Sequence, residues 1–124
     1  MDFYSQDELI DIINYSDIYV HASDAEIEAI SCMEAFSCGL VPIIGDSKIS
    51  ATNQFSLTDH NIFKAADSSD LAKKITHLYN NPEMVKDLSE QYIKYSEQFQ
   101  LEACVTSLEK MFYEAINDFN QPND

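Results

Sequence analysis

The chain is short, acidic and free of arginine. Its 124 residues are enough to bury the core of one ordinary domain, and its 22 acidic residues against seven basic ones give a formal charge of −15. A field of that sign repels polyanions, which excludes a nucleic-acid-binding role and disfavours an anionic membrane surface. Without a signal peptide or an apolar run of about 18 residues, the chain is expected to be cytoplasmic and to span no membrane.

The first half of the chain alternates between helical and strand patterns. Residues 6–14 have apolar positions at helical spacing and predict a short helix. Residues 17–22 are almost continuously apolar, as in a parallel strand covered on both faces, and residues 41–44 repeat that pattern. Between these strands, residues 29–38 predict a helix that ends at Gly39, a residue suited to the positive φ of a helix C-terminus.

The second half predicts one more strand and then three helices. After a polar loop, residues 61–64 predict the third strand. Asp67 or Ser68 caps the first of the three helices, and Asn81 with Pro82 begins the second. The last helix aligns six residues on one face, which predicts that this face is buried: Leu101, Val105, Leu108, Phe112, Ala115 and Phe119.

The order of these elements predicts an α/β fold class. Two or three parallel strands with helices on both faces would form a partial Rossmann-like sheet. We assign residues 1–119 to one domain and residues 120–124 to a disordered tail. Three cysteines show no metal-ligand spacing and are interpreted as buried, reduced thiols: Cys32, Cys38 and Cys104.

Two glutamates lie on either side of a predicted helix N-terminus. Glu26 ends the loop after the first strand, and Glu34 lies eight residues further on, inside the helix. At about 1.5 Å per residue they are separated by at most about 12 Å, close to the distance from ribose to sugar ring in an extended nucleotide-sugar. The free amides and dipole of the helix N-terminus suit a diphosphate. The spacing can therefore hold a sugar, phosphates and a ribose in turn.

Several residues of this stretch fit the motif S-x-x-E-G-F-G-x-x-x-x-E-A-M-A-x-G, with a proline and an isoleucine following: Ser23, Glu26, Glu34, Ala35, Gly39, Pro42 and Ile43. On these residues the chain resembles the C-terminal, donor-binding half of retaining GT-B glycosyltransferases of the E-x7-E type (glycosyl transferases group 1). Weaker similarity extends over nearly the whole chain. The chain departs from the motif where Ile27 and Ala29 replace glycines and Glu28 adds a negative charge. Because Ile27 is β-branched, the loop must keep φ negative there or be distorted.

The resemblance implies a role for each glutamate and for the amides between them. Glu34 matches the residue that accepts hydrogen bonds from the ribose hydroxyls. Glu26 matches a catalytic residue that contacts the donor sugar and stabilises developing oxocarbenium charge. Four backbone amides are expected to bind the phosphates and the sugar: those of Ile27, Glu28, Ala29 and Ile30. The simpler alternatives are that Glu34 is a solvated surface residue and that Glu26 only stabilises the helix dipole.

The resemblance further implies a larger parent enzyme. GT-B enzymes have two Rossmann-like domains, and their phosphate-binding arginine and lysine lie upstream of the residues present here. We therefore expect an inactive fragment of a transferase that moves a hexose, with retention, from a nucleoside-diphosphate sugar. The acceptor, a glycan or lipid such as those of a bacterial envelope, would bind through the missing N-terminal domain. No cofactor or metal is implied, and the uncovered sheet edge is expected to allow self-association.

Two alternatives and one interpretation stay open at this point. The chain can instead be a non-catalytic, acidic α/β interaction module whose glutamates are merely solvated. His21, at the end of the first strand, is interpreted as a residue that lines the cleft at most. The polar residues 47–55 either face the acceptor or form a plain surface loop.

Overall fold

The computed structural model describes residues 4–120, which form two compact units that meet in sequence between Lys94 and Tyr95. The first unit contains, in chain order, α1 (Gln6–Asn14), β1 (Ile18–His21), β2 (Ala25–Glu26), α2 (Ile30–Ser37), β3 (Val41–Asp46), β4 (Ile49–Ser50), β5 (Ile62–Lys64) and α3 (Ser68–Tyr79). Helix α4 (Pro82–Ser96) continues into the second unit, which contains α5 (Leu101–Asn120). Of the predicted tail, Asn120 ends α5, and residues 121–124 lie outside the described residues.

The main sheet has three parallel strands in the order β1-β3-β5. Ile18 pairs with Val41, and Ile44 pairs with Ile62, so the central strand β3 is paired on both sides. Helix α2 contacts β1 and β3, and α3 contacts β3 and β5. The predicted α/β fold class with a parallel sheet flanked by helices is therefore confirmed. The expectation that β1 is covered on both faces is wrong, because Val20 is 39% exposed.

A second sheet consists of β2 and β4, two short parallel strands in which Glu26 is the partner of Ser50. The sequence did not predict this sheet because two-residue strands are too short to show the alternation that marks a strand. It joins the loop after β1 to the loop after β3. Both loops therefore lie at the carboxyl edge of the main sheet, where parallel α/β proteins bind their ligands.

Helix α2 is held between two residues with left-handed backbone. Ala29 at its N-cap has φ 53°, and Gly39 just after its C-cap has φ 89°. At the C-terminus the Leu40 amide donates to the Ala35 carbonyl at 3.1 Å and the Gly39 amide to the Phe36 carbonyl at 3.0 Å. These are the two hydrogen bonds of a Schellman motif, and they confirm the predicted helix end. The chain then turns directly into β3.

An aromatic cluster with two buried polar side chains forms the core beneath the site. The ring of Phe36 lies 5.5 Å from that of Phe55 and 5.7 Å from that of Tyr92. The Tyr92 hydroxyl donates to the Phe55 carbonyl at 2.8 Å, and the Asn61 side-chain amide donates to the Pro42 carbonyl at 2.9 Å. Because these buried polar groups are hydrogen-bonded, the cost of removing them from water is compensated. They attach the loop after β3 to the central strand.

Two further burial predictions are wrong. Helix α5 contains the six aligned residues, but none of its residues is buried, and Phe112 and Phe119 are 56% and 89% exposed. Periodicity decides which residues share a helix face, whereas burial requires another element against that face. Among the cysteines, Cys32 is buried, which raises the pKa of its thiol to about 12, while Cys38 and Cys104 are exposed.

Candidate functional site

The predicted binding residues line one open hollow at the start of α2. It has a volume of about 390 Å³ and is lined by residues 26–30. The hollow follows the carboxyl end of β1, because the chain passes from His21 through β2 to the N-terminus of α2. The structure therefore brings together five of the six predicted site residues. Glu34 lies further along α2, is exposed and does not line the hollow.

Ala29 has the backbone conformation that glycine usually supplies. Its φ of 53° and ψ of 42° are left-handed, and its side chain is 2% exposed. An L-residue in this conformation costs roughly 1 kcal/mol relative to glycine. Ile27 is not among the residues with positive φ. Of the two predicted alternatives, a negative φ at Ile27 or a distorted loop, the structure has the first. The strain is thus placed on the smaller side chain.

The Glu26 carboxylate rests on the amides that were predicted to bind phosphate. The Ile27 amide donates to Oε1 at 2.9 Å. The pKa of Glu26 is lowered, most by the Ala29 amide, then by those of Ile27 and Glu28, with His21 contributing least and partial desolvation opposing the effect. Converging amides favour an anion, as the N-terminus of a helix does. The loop therefore has an anion-binding character that its own glutamate satisfies.

A hydrogen-bonded row of side chains leads to the same carboxylate. The Tyr19 hydroxyl lies 3.0 Å from Ser31 Oγ and 3.0 Å from His21 Nδ1. His21 is 7% exposed, and its Nε2 lies 3.8 Å from Glu26 Oε2. His21 is thus more deeply buried than a residue that merely lines a cleft. Tyr19 and Ser31 were missed, although the spacing of Tyr19 and His21 places both on one face of a strand.

The Tyr19 hydroxyl responds to both glutamates of the motif. Burial raises the pKa of Tyr19, a hydrogen bond with Ser31 opposes that rise, and Cys32, then Glu26 and Glu34, add to it electrostatically. The two motif glutamates thus both disfavour ionisation of the same hydroxyl. The segment between them is a loop followed by a helix, as predicted.

Residues 47–55 brace the loop that carries Glu26. The Ser47 hydroxyl donates to the Asp24 carbonyl, and Ser50 pairs with Glu26 between β4 and β2. The Asn53 side-chain amide donates to Asp46 Oδ1 at 3.1 Å and to the Ser47 carbonyl at 2.9 Å. The sequence left two alternatives for this segment, and its contacts show a structural role that neither alternative described.

The site contributes little positive charge of its own. No lysine occurs between Ser5 and Asp46, and Lys48 is the nearest in sequence. Within residues 4–120 no group of three or more histidine, cysteine, aspartate or glutamate side chains is arranged to hold a metal ion. Arginine, the cation best suited to bind a diphosphate, is absent from the chain.

The fold and the loop at its carboxyl edge are those of a GT-B, Rossmann-like glycosyltransferase domain. The family model for glycosyl transferases group 1 matches residues 1–98, and the chain belongs to that family. It is similar to the solved catalytic domain of cholesterol-alpha-glucosyltransferase from Helicobacter pylori, with 36% identity and a TM-score of 0.75. That match covers 79% of this chain and 62% of the other chain, so our chain spans under two thirds of that structure. No curated protein matches the chain.

Two further findings concern the helices. Helix α5 lies beyond residues 1–98 and so outside the family match. Among the helices of residues 4–120, none combines the length and the apolar character needed to cross a bilayer. Family membership favours a transferase over the non-catalytic acidic module.

Substituting Ala29 tests whether its backbone is strained. Ala29→Val is expected to lower the free energy of unfolding by about 2–3 kcal/mol, because a β-branched residue resists left-handed φ and the site is buried. Ala29→Gly should change it by less than about 1 kcal/mol, since relief of strain offsets the lost methyl group and the added chain entropy. Urea denaturation followed by circular dichroism measures both. Equal losses in the two variants would contradict a strained Ala29.

The lowered pKa of Glu26 predicts a pH-dependent contribution to stability. A carboxyl whose pKa is lower in the folded state stabilises the fold above its unfolded pKa, and this is lost as pH falls through the folded value. Glu26→Gln should therefore destabilise the chain at pH 7, and the difference from the native chain should shrink below about pH 4.5. Glu28→Gln removes the same charge from the same loop and corrects for net charge. A corrected difference that stays constant down to pH 3 would contradict the amide contacts.

Proposed function

We propose that the chain is the donor-binding part of a retaining glycosyltransferase that moves a hexose, with glucose as the first candidate, from a nucleoside-diphosphate sugar to a glycan or lipid. The observation that carries this proposal is the Glu26 carboxylate at the start of α2, where it accepts from the Ile27 amide at 2.9 Å, and its pKa is lowered by the Ala29 and Glu28 amides as well. The similar structure is named for α-glucosyl transfer to cholesterol, which supports glucose and a lipid acceptor. An α-linked product made from an α-linked donor corresponds to retention.

Each group would act on a different part of the donor. The amides of residues 27–29 would stabilise the leaving diphosphate, because preorganised N–H donors act most strongly where negative charge develops. Glu26 would accept a hydrogen bond from a sugar hydroxyl and favour the positive charge of the oxocarbenium-like transition state. Glu34 would accept two hydrogen bonds from the ribose, which an ionised carboxylate can do. No step in this scheme uses a metal or a cofactor.

The remainder of the parent would supply what this chain lacks. A formal charge of −15 and the absence of lysine between Ser5 and Asp46 disfavour a diphosphate on this chain by itself. The similar catalytic domain extends well beyond the 62% that matches. We propose that the additional part provides the basic residues and the acceptor site, that this chain alone is inactive, and that the parent acts in the cytoplasm.

Titration of the chain with UDP-glucose tests the donor site. Amide resonances of residues 26–30 and Glu34 are expected to shift in NMR spectra, and Glu34→Gln should raise the Kd about tenfold through the loss of charge-assisted hydrogen bonds. Glu102→Gln removes the same charge from α5 and should leave the Kd unchanged. Glucose transfer is expected only when the chain is extended by the rest of its parent. Shifts confined to other regions would refute the proposed donor site.

We also propose that the chain self-associates through the free edge of β1. That edge has no partner strand among residues 4–120, and Val20 on it is 39% exposed. Analytical ultracentrifugation at moderate salt, which screens the negative charge, should show a concentration-dependent dimer that Val20→Lys abolishes. Val105→Lys places the same charge on α5, where the native residue is 48% exposed. If Val105→Lys abolished the dimer and Val20→Lys did not, the interface would be on α5 instead.

A further inference from the structure

His21 has a buried nitrogen with no hydrogen-bond partner. The residue is 7% exposed, and Nε2 is fully shielded from solvent and makes no hydrogen bond. An unsatisfied buried polar atom is costly, so its presence in a native fold requires an explanation. Glu26 Oε2 lies 3.8 Å from Nε2, about 1 Å beyond the length of a charge-assisted hydrogen bond.

The neighbours of the other ring nitrogen favour a proton on Nε2. A neutral imidazole has one donor and one acceptor nitrogen. If Ser31 donates to the Tyr19 hydroxyl and Tyr19 donates to Nδ1, then Nε2 carries the proton and faces the Glu26 carboxylate. The opposite direction would place a nitrogen lone pair against a carboxylate, which only accepts. The row of hydrogen bonds therefore ends in a donor directed at Glu26.

The Glu26 carboxylate lies between two sets of donors. Its Oε1 accepts from the Ile27 amide at 2.9 Å, while its Oε2 faces His21 Nε2 at 3.8 Å. On one side the donors are backbone amides at the surface, and on the other side there is a single buried N–H. A movement of about 1 Å toward the ring would bring Oε2 within hydrogen-bond distance of Nε2.

We propose that His21 is a positioning residue that gives the Glu26 carboxylate a second binding place. When a donor diphosphate or sugar hydroxyl takes the amides of residues 27–29, the carboxylate moves onto Nε2 and remains hydrogen-bonded and charged. Without His21, the carboxylate would have to stay on the amides and compete with the ligand. The ligand part of this inference rests on the proposed function, whereas the second binding place does not.

Removing one amide tests the second place without any ligand. Ile27 is 87% exposed, and Ile27→Pro deletes the N–H that holds Oε1 while the preceding Glu26 is already extended in β2. In a ¹⁵N-histidine-labelled chain, the native His21 ring is expected as the Nε2–H tautomer. Ile27→Pro should move the Nε2 proton downfield and slow its exchange with water, whereas Ile27→Ala, which keeps the amide, should not. Adding Glu26→Gln to Ile27→Pro should cancel the shift.

Binding of UDP-glucose tests the consequence for the ligand. His21→Phe should raise the Kd about tenfold in the native chain, the effect of one charge-assisted hydrogen bond, but less than about threefold in the Glu26→Gln background. His60→Phe, an exposed histidine outside the site, should have no effect. An Nδ1–H tautomer in the native chain, or equal effects of His21→Phe in both backgrounds, would overturn the inference. A chain that shows the Ile27→Pro shift but, when extended by the rest of its parent, still binds no UDP-glucose would keep the second binding place and refute the proposed function.

Discussion

The left-handed backbone of Ala29 is the constraint on which the site depends. Three residues join β2 to α2, and the last of them, Ala29, turns the backbone with φ 53°. The short turn keeps the amides of residues 27–29 close to the carboxylate that precedes them. With a longer and relaxed connection, those amides would be free to bond to water separately. The strained backbone at Ala29 thus places several N–H groups close together.

The site is unusual in that its own anion occupies it. In an acidic chain with no lysine between Ser5 and Asp46, the backbone amides supply positive potential at the loop, and Glu26 takes them. This arrangement satisfies the loop in the absence of a ligand. An anionic ligand must therefore displace the Glu26 carboxylate or share the amides with it. Positive charge from outside this chain is needed to favour the ligand. The partial coverage of the similar catalytic domain agrees with that need.

Much of the fold could be predicted from the sequence, for physical reasons that differ between elements. The helix at residues 6–14 and the ends of α2 follow from local signals, namely periodic apolar residues and a glycine suited to left-handed φ. The buried central strand β3 was recognised by its continuous apolar character. The bracing of the loop by Ser47 was not predictable, because its partner Asp24 lies 23 residues away and leaves no periodic trace in the sequence.

The candidate site likewise contains residues that the sequence predicted and residues that it did not. Glu26 and the amide-bearing residues were identified because their spacing is local and their motif is specific. Tyr19 and Ser31 were missed because they join the site through a hydrogen-bonded row that starts in one element and ends in another. Likewise the burial of His21 is a property of the assembled sheet and helix, not of the residue's neighbours in sequence.

By itself the sequence determined the helices and the strands of the main sheet, the fold class and the position of the motif loop, since each depends on residues within a few positions of one another. Tertiary structure alone decided which polar groups meet around Glu26, and that the apolar face of α5 is exposed. The reason is that hydrogen-bond partners and burial depend on distances between separate elements. Periodicity fixes the directions of side chains within an element but not what lies opposite them.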